Sequence, residues 1–188
     1  MSRAPARRIA LLALVACSGC GRGASAGDPL EVVGPVPDAA FSDQTGARLR
    51  TSDLAGRVLV ANFIFTRCPT VCPVTSLKMK RVGERLADEA GVGLVSISVD
   101  PEHDTPEVLR AYMQKYGADP GRWTFLTGDP EAIKATVVGG LKTAMGRGDD
   151  SDDLNAIFHG THFVLVDDRG QIRGYYRSED PEAVAALS

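Results

Sequence analysis

Val58-Leu59-Val60-Ala61-Asn62-Phe63-Ile64-Phe65 runs uncharged into Thr66-Arg67-Cys68-Pro69-Thr70-Val71-Cys72-Pro73. The first stretch is short, apolar and rich in β-branched and aromatic residues, which marks a buried strand. From Val74 to Ala90 the apolar residues Met79, Val82 and Leu86 fall on one helical face, and Pro73 stands where a first-turn proline is tolerated. Two thiols therefore sit at a strand-to-helix turn, in C-x-x-x-C rather than C-x-x-C spacing. A helix N-terminus favours thiolate over thiol, so this is a place for soft-metal or disulfide chemistry.

Working outward, Gln44-Thr45-Gly46 marks the turn of a small hairpin from Phe41 to Leu49, and Val92 to Val99 reads as a second buried strand. Thr105 is a candidate cap for a helix whose face carries Val108, Leu109, Tyr112, Met113 and Tyr116. Trp123 to Leu126 is a short strand, Asp129-Pro130 opens a helix to about Val138, and Gly139 to Leu154 reads as a Gly- and Asp-rich loop. His162–Val166 and Gln171–Tyr176, joined by Asp167-Asp168-Arg169-Gly170, form a hairpin, and Asp180-Pro181 caps a final helix. The order predicts one α/β domain with parallel and antiparallel strands.

At 188 residues and 44% apolar content, the chain can build its core without metal or crosslinks. Arg3, Arg7 and Arg8 precede a short apolar run, Ile9 to Ala16, that is too short to span a bilayer and reads as a signal peptide. Leu14-Val15-Ala16-Cys17 resembles the lipobox of bacterial lipoproteins, which makes Cys17 the expected lipidation site; ordinary cleavage is the alternative. The expected organisation is a signal peptide over residues 1–16, a tether over 17–37 and a domain over 38–188. Losing the three arginines takes the net charge from −3 to −6, which argues against nucleic acid and against a polybasic membrane contact. Membrane attachment is then left to the lipid.

Of the four cysteines, Cys17 goes to the anchor and Cys20 lies in the tether, leaving Cys68 and Cys72 in the domain. A structural disulfide between them would close so short a loop that it adds little stability. Taken by itself, His159 is an ordinary loop histidine, and His162 is its rival as a ligand. His103 reads as a solvent-loop residue, with Asp100 and Asp104 around it leaving a further metal option. Met79 and Met113 fall on apolar helical faces and read as core. Asp149-Asp150-Ser151-Asp152-Asp153 lacks the glycine and glutamate of a calcium loop and reads as solvated.

Four features together resemble the Sco/SenC family of exported copper proteins. They are Phe65-Thr66-Arg67-Cys68 through Pro73, Ser98-Val99-Asp100-Pro101 through Pro106, His159 eleven residues before Gly170, and Ile172 through Tyr176 closing the hairpin. They span residues 41 to 176. Thr70 replaces a common Asp, and Gly160 a common Ser. The resemblance implies a thioredoxin-like three-layer α/β sandwich with an N-terminal hairpin extension. It also implies that the strand after His159 brings its leading loop opposite the cysteine turn.

By the same resemblance, Cys68, Cys72 and His159 hold copper. Thiolate suits Cu(I) and imidazole suits both Cu(I) and Cu(II). The implied function is a membrane-anchored metallochaperone assisting assembly of the CuA centre, with the copper-bearing subunit of a respiratory cytochrome oxidase as partner. The alternative is a thiol–disulfide reductase using Cys68 and Cys72 on the same target, for which His159 is dispensable. A peroxidase is disfavoured because Thr66 lies only two residues before Cys68 and Pro69 follows it. Zinc is disfavoured for want of an acid/base partner.

Overall fold

The computed structural model describes residues 30–148 and 157–187. The signal peptide, Cys17, Cys20 and the Asp149–Asp153 run lie outside the described residues. Among the described residues, no helix is long and apolar enough to cross a membrane.

An eight-stranded mixed sheet forms the centre. In chain order its strands are β1 (Gly34–Pro35), β2 (Ala40–Asp43), β3 (Arg48–Arg50), β4 (Val58–Ile64), β5 (Val92–Ser98), β6 (Trp123–Thr127), and the later pair β9 (His162–Val166) and β10 (Gln171–Arg177). Their spatial order is β1-β10-β9-β4-β5-β6-β2-β3. β4, β5 and β6 run parallel, while β9 joins β4 antiparallel. A separate two-stranded ribbon, β7 (Met145–Arg147) and β8 (Ile157–His159), lies apart from this sheet.

Period-2 alternation divides the apolar residues between two layers. Ala61, Phe63 and Phe65 of the β4 segment point to one face, with Val95, Ile97, Val164 and Val166. Val60 and Ile64 point to the other, with Leu94, Phe125 and Phe163. Helices α1 (Val71–Arg85) and α2 (Pro106–Tyr116) cover the second face through Met79, Val82, Leu109, Tyr112 and Tyr116. The first face is covered by α3 (Pro130–Lys134) and the π-helical turn Ala135–Gly140 that continues it, through Ile133 and Val137. A short α4 (Pro181–Ala185) closes the chain, capped by Asp180. This is the expected α/β sandwich with its N-terminal hairpin, β2–β3.

Local rules explain the helix ends. The Thr105 hydroxyl accepts from the Val108 amide and Pro106 opens α2, while Gly117 ends it in the left-handed region at φ 60°. A Ser76–Tyr112 hydrogen bond of 2.8 Å joins α1 to α2, and Lys78 Nζ donates to the Ser178 carbonyl at 2.6 Å.

Three segments depart from the sequence reading. Helix α1 begins at Val71, three residues early, and so takes Cys72 into its first turn. The stretch from Gly139, read as a loop, continues the α3 helix and then supplies β7. Within the segment read as tether, Gly34 and Pro35 pair with Ile172 and Gln171 at the sheet edge.

A buried polar chain crosses the second face: Trp123 Nε1 donates to Ser96 Oγ at 2.9 Å, which donates to Asn62 Oδ1 at 2.6 Å. Ser96→Ala orphans two buried groups and should cost on the order of 2–6 kcal/mol, at roughly 1–3 kcal/mol for each lost partner. Thr127 Oγ1 is buried without a partner, so Thr127→Val should be neutral or stabilising. Urea unfolding midpoints of the two variants check both outcomes.

Candidate metal centre

Cys68 follows β4 in a tight turn in which its amide donates to the Phe65 carbonyl at 3.1 Å. Its sulfur then accepts the amide of Cys72, at the start of α1, at 3.4 Å. The strand delivers the sulfur, and the first turn of the helix supplies amides that have no intrahelical partner. Both cysteines are free thiols, with Cys68 7% exposed and Cys72 fully buried.

Their protonation differs for physical reasons. Burial works against the Cys68 thiolate, but amide hydrogen bonds from Cys72 and Thr70, helped by both side chains, hold this thiol below its ordinary range. Thr70 Oγ1 lies 3.9 Å from the Cys68 sulfur, so a neutral hydroxyl stands beside it. Burial pushes the Cys72 thiol far up, and the adjacent Cys68 sulfur adds to the shift.

His159 closes β8, where it pairs with Met145 of β7, and the Gly160 amide extends the ribbon by donating to the Ala144 carbonyl. The sequence reading put His159 in a loop before β9; it stands instead on a ribbon of its own. That ribbon brings Nε2 to 3.4 Å from the Cys72 sulfur and sets the ring edge-on to Phe65. Nδ1 lies 2.9 Å from the Gly160 carbonyl, which can only accept, so Nδ1 carries the proton. Burial holds the imidazole below its ordinary range, with the Gly160 carbonyl opposing in part. The neutral ring therefore aims a lone pair from Nε2 at the sulfur.

A cavity of about 170 Å³ opens beside these groups, lined by Phe65, Cys68, Val71, Phe158 and His159 among others. Phe158, 54% exposed, flanks it. The Cys72–His159 pair fits a soft ion: sulfur and imidazole bind a d¹⁰ ion at roughly 2.3 and 2.0 Å, which places two ligands of one ion about 3.4 Å apart at an angle near tetrahedral.

The other candidates have different roles. His162 donates from Nε2 to Thr143 Oγ1 at 2.9 Å, and its ring packs edge-on to Phe63 and Tyr175. Through Thr143 it braces the segment that leads into the ribbon. A Cβ at Gly160 would come 2.6 Å from Thr143 and 2.7 Å from the His162 ring, so any other residue there obliges those side chains to shift. Met79 is fully buried and Met113 packs on the same layer, as the sequence indicated.

Two acids in Asp100–Asp104 hold the cysteine loop, a role that the sequence reading missed. Asp104, fully buried, accepts from Thr66 Oγ1 at 2.5 Å, the Thr66 amide at 3.1 Å and Ser98 Oγ at 2.6 Å. Asp100 accepts from Arg67 and Arg147. His103, Asp100 and Asp104 do form a close cluster, but both carboxylates are already engaged within the protein. The available signal was the position of both acids, in the short loop that follows a largely buried strand.

Comparison with known proteins identifies the family. The family model SCO1/SenC matches residues 37–187. A SCO1/SenC family lipoprotein from Bacillus anthracis superposes with a TM-score of 0.73 at 32% identity, covering 82% of this chain and 93% of that one. Bradyrhizobium japonicum ScoI, solved with copper bound, gives 0.65 at 26% identity over 81% and 97%. BsSco, described as having a disulfide switch and as a member of the Sco family of cytochrome c oxidase assembly proteins, gives 0.71 at 27% identity over 84% and 94%. With the model match extending over nearly all the described residues and the same thioredoxin-like fold in these structures, the chain belongs to the SCO1/SenC family.

Proposed function

We propose that this protein is a copper metallochaperone, held at a bacterial membrane through a lipidated Cys17 and facing the periplasm or cell exterior, that supplies copper to the CuA centre of a cytochrome oxidase subunit. The observation that carries the reading is the 3.4 Å approach of a neutral His159 Nε2 to the Cys72 sulfur beside a second thiol. Copper is the cargo, and Cys68, Cys72 and His159 are its ligands. Two sulfurs favour Cu(I), and the imidazole lets the same site accept Cu(II). The copper-bound relative and the relative described as an oxidase assembly protein support this reading. The lipobox at Cys17 and the lipoprotein relative support the anchor. Cys68 lines the cavity, which makes it the ligand that a recipient reaches first.

A second reading rests on the asymmetry of the thiols. Cys68, with its lowered pKa, suits attack on a disulfide of the same target, and the buried Cys72 suits resolution of the mixed disulfide. The balance is simple: the Cys68–Cys72 dithiol becomes a disulfide while the target disulfide becomes two thiols.

The reduced protein should bind one copper per chain with a sulfur-to-copper charge-transfer band, absent from Cys68→Ser and Cys72→Ser. His159→Ala should weaken binding by more than the roughly 10–100-fold that outer-shell changes cost. If His159→Ala supports oxidase assembly fully while Cys68→Ser fails, the reductase reading replaces the chaperone.

Copper must displace the proton that burial keeps on Cys72, so affinity should rise as pH rises, by about tenfold per pH unit for each proton displaced. His159, already neutral, releases none. Calorimetric titration in buffers of different ionisation enthalpy measures the protons released, and His159→Ala should leave that number unchanged.

A further inference from the structure

We infer that Asp100 is a positioning residue for the metal centre: one buried carboxylate clamps the ribbon that carries His159 onto the loop that carries the cysteines. The inference rests on the copper-carrying reading above and deepens it. Asp100 is 1% exposed and divides its two oxygens between two arginines. Oδ2 accepts from Arg67 Nη2 at 2.7 Å and from Nε at 3.2 Å. Oδ1 accepts from Arg147 Nη2 at 2.6 Å.

What matters is where the arginines stand. Arg67 immediately precedes Cys68. Arg147 lies on β7 directly opposite Ile157, and β8 ends two residues later at His159. The two halves of the ligand set are thus tied to one acid on a third element, the loop that follows β5.

The ribbon needs such a tie. Its strands are three residues each and do not belong to the main sheet, and an isolated two-stranded hairpin is marginal in water. Ile157 anchors it in the core by apolar packing. Apolar contact is non-directional and tolerates small slides. Charge-assisted bonds to a carboxylate are short and directional, so they set where His159 stops relative to the cysteines. A loose ribbon would still fold but would let Nε2 drift from the Cys72 sulfur. This assignment also accounts for the Asp100–His103–Asp104 cluster without a second ion.

The test compares Arg147→Gln and Asp100→Asn with the wild type, each with His159 and with His159→Ala. Cu(I) affinity is measured by chelator competition on the reduced full chain, referenced to Cys68→Ser/Cys72→Ser so that Cys17 and Cys20 cancel. Amide exchange at Gly160 is measured in the copper-free protein. In the His159 background both variants should lose roughly tenfold or more in Cu(I) affinity, the lower bound for outer-shell partners. In His159→Ala they should lose under about twofold, because the clamp acts through that imidazole. Gly160 exchange should quicken by on the order of tenfold or more as the ribbon loosens. Equal losses in both backgrounds, or unchanged affinity with unchanged exchange, overturn the inference. If Asp100→Asn does not fold, Arg147→Gln, altered at a partly exposed side chain, decides alone. If the wild type binds no copper through its cysteines, the chaperone reading fails and the exchange rates still decide the clamp.

Discussion

A sulfur and an imidazole nitrogen from residues 87 positions apart in the chain stand 3.4 Å from one another, and both are largely shut off from water. Holding them there is the constraint that the rest of the molecule serves. β4 carries the cysteine turn to the end of the parallel strands, α1 presents free amides to the Cys68 sulfur, and a detached ribbon lowers the imidazole from the opposite side. Each donor is brought by a different element, so the site exists only when all three are packed.

The polar groups around the donors are satisfied in a way that leaves the donors themselves available. The Gly160 carbonyl takes the Nδ1 proton, Asp104 absorbs the Thr66 amide and hydroxyl, and Asp100 absorbs two guanidinium groups. Buried acids of this kind are costly unless paired. Here the pairing fixes the backbone directly before Cys68, which converts an electrostatic requirement into geometry. The two thiols differ because one faces amides and the other faces the core, a distinction that three intervening residues suffice to create.

Much of this is legible in the chain. The uncharged, mostly apolar runs Val58–Ile64 and Val92–Ser98 mark strands buried on both faces, and Thr105, Asp129 and Asp180 mark helix starts by their side chains. The cysteine pair declares itself because its members are neighbours in sequence. His159 does not: its partner is remote, and the resemblance rather than any spacing pointed to it. β7 was hidden because Met145-Gly146-Arg147 has no apolar alternation and gains its register only from Ile157–His159. The start of α1 was placed late because two prolines flank the Thr70–Cys72 stretch, whereas Pro73 fits within the first turn. Asp100 and Asp104 resemble surface-loop acids until the arginines and hydroxyls that meet them are located.

Both margins of the main sheet are blunted. On one side the two-residue β1 lies along β10, reinforced by Val33 and Val36 amides donating to the Ile172 and Gly170 carbonyls, while the Arg173 guanidinium grips the Leu30 carbonyl. On the other side β3 is three residues long and carries Arg48 and Arg50. Short, charged or covered borders deny a second copy the ladder it needs to add strands. Copies at high concentration can therefore sit side by side without zipping into aggregates, and the mouth beside Phe158 stays open.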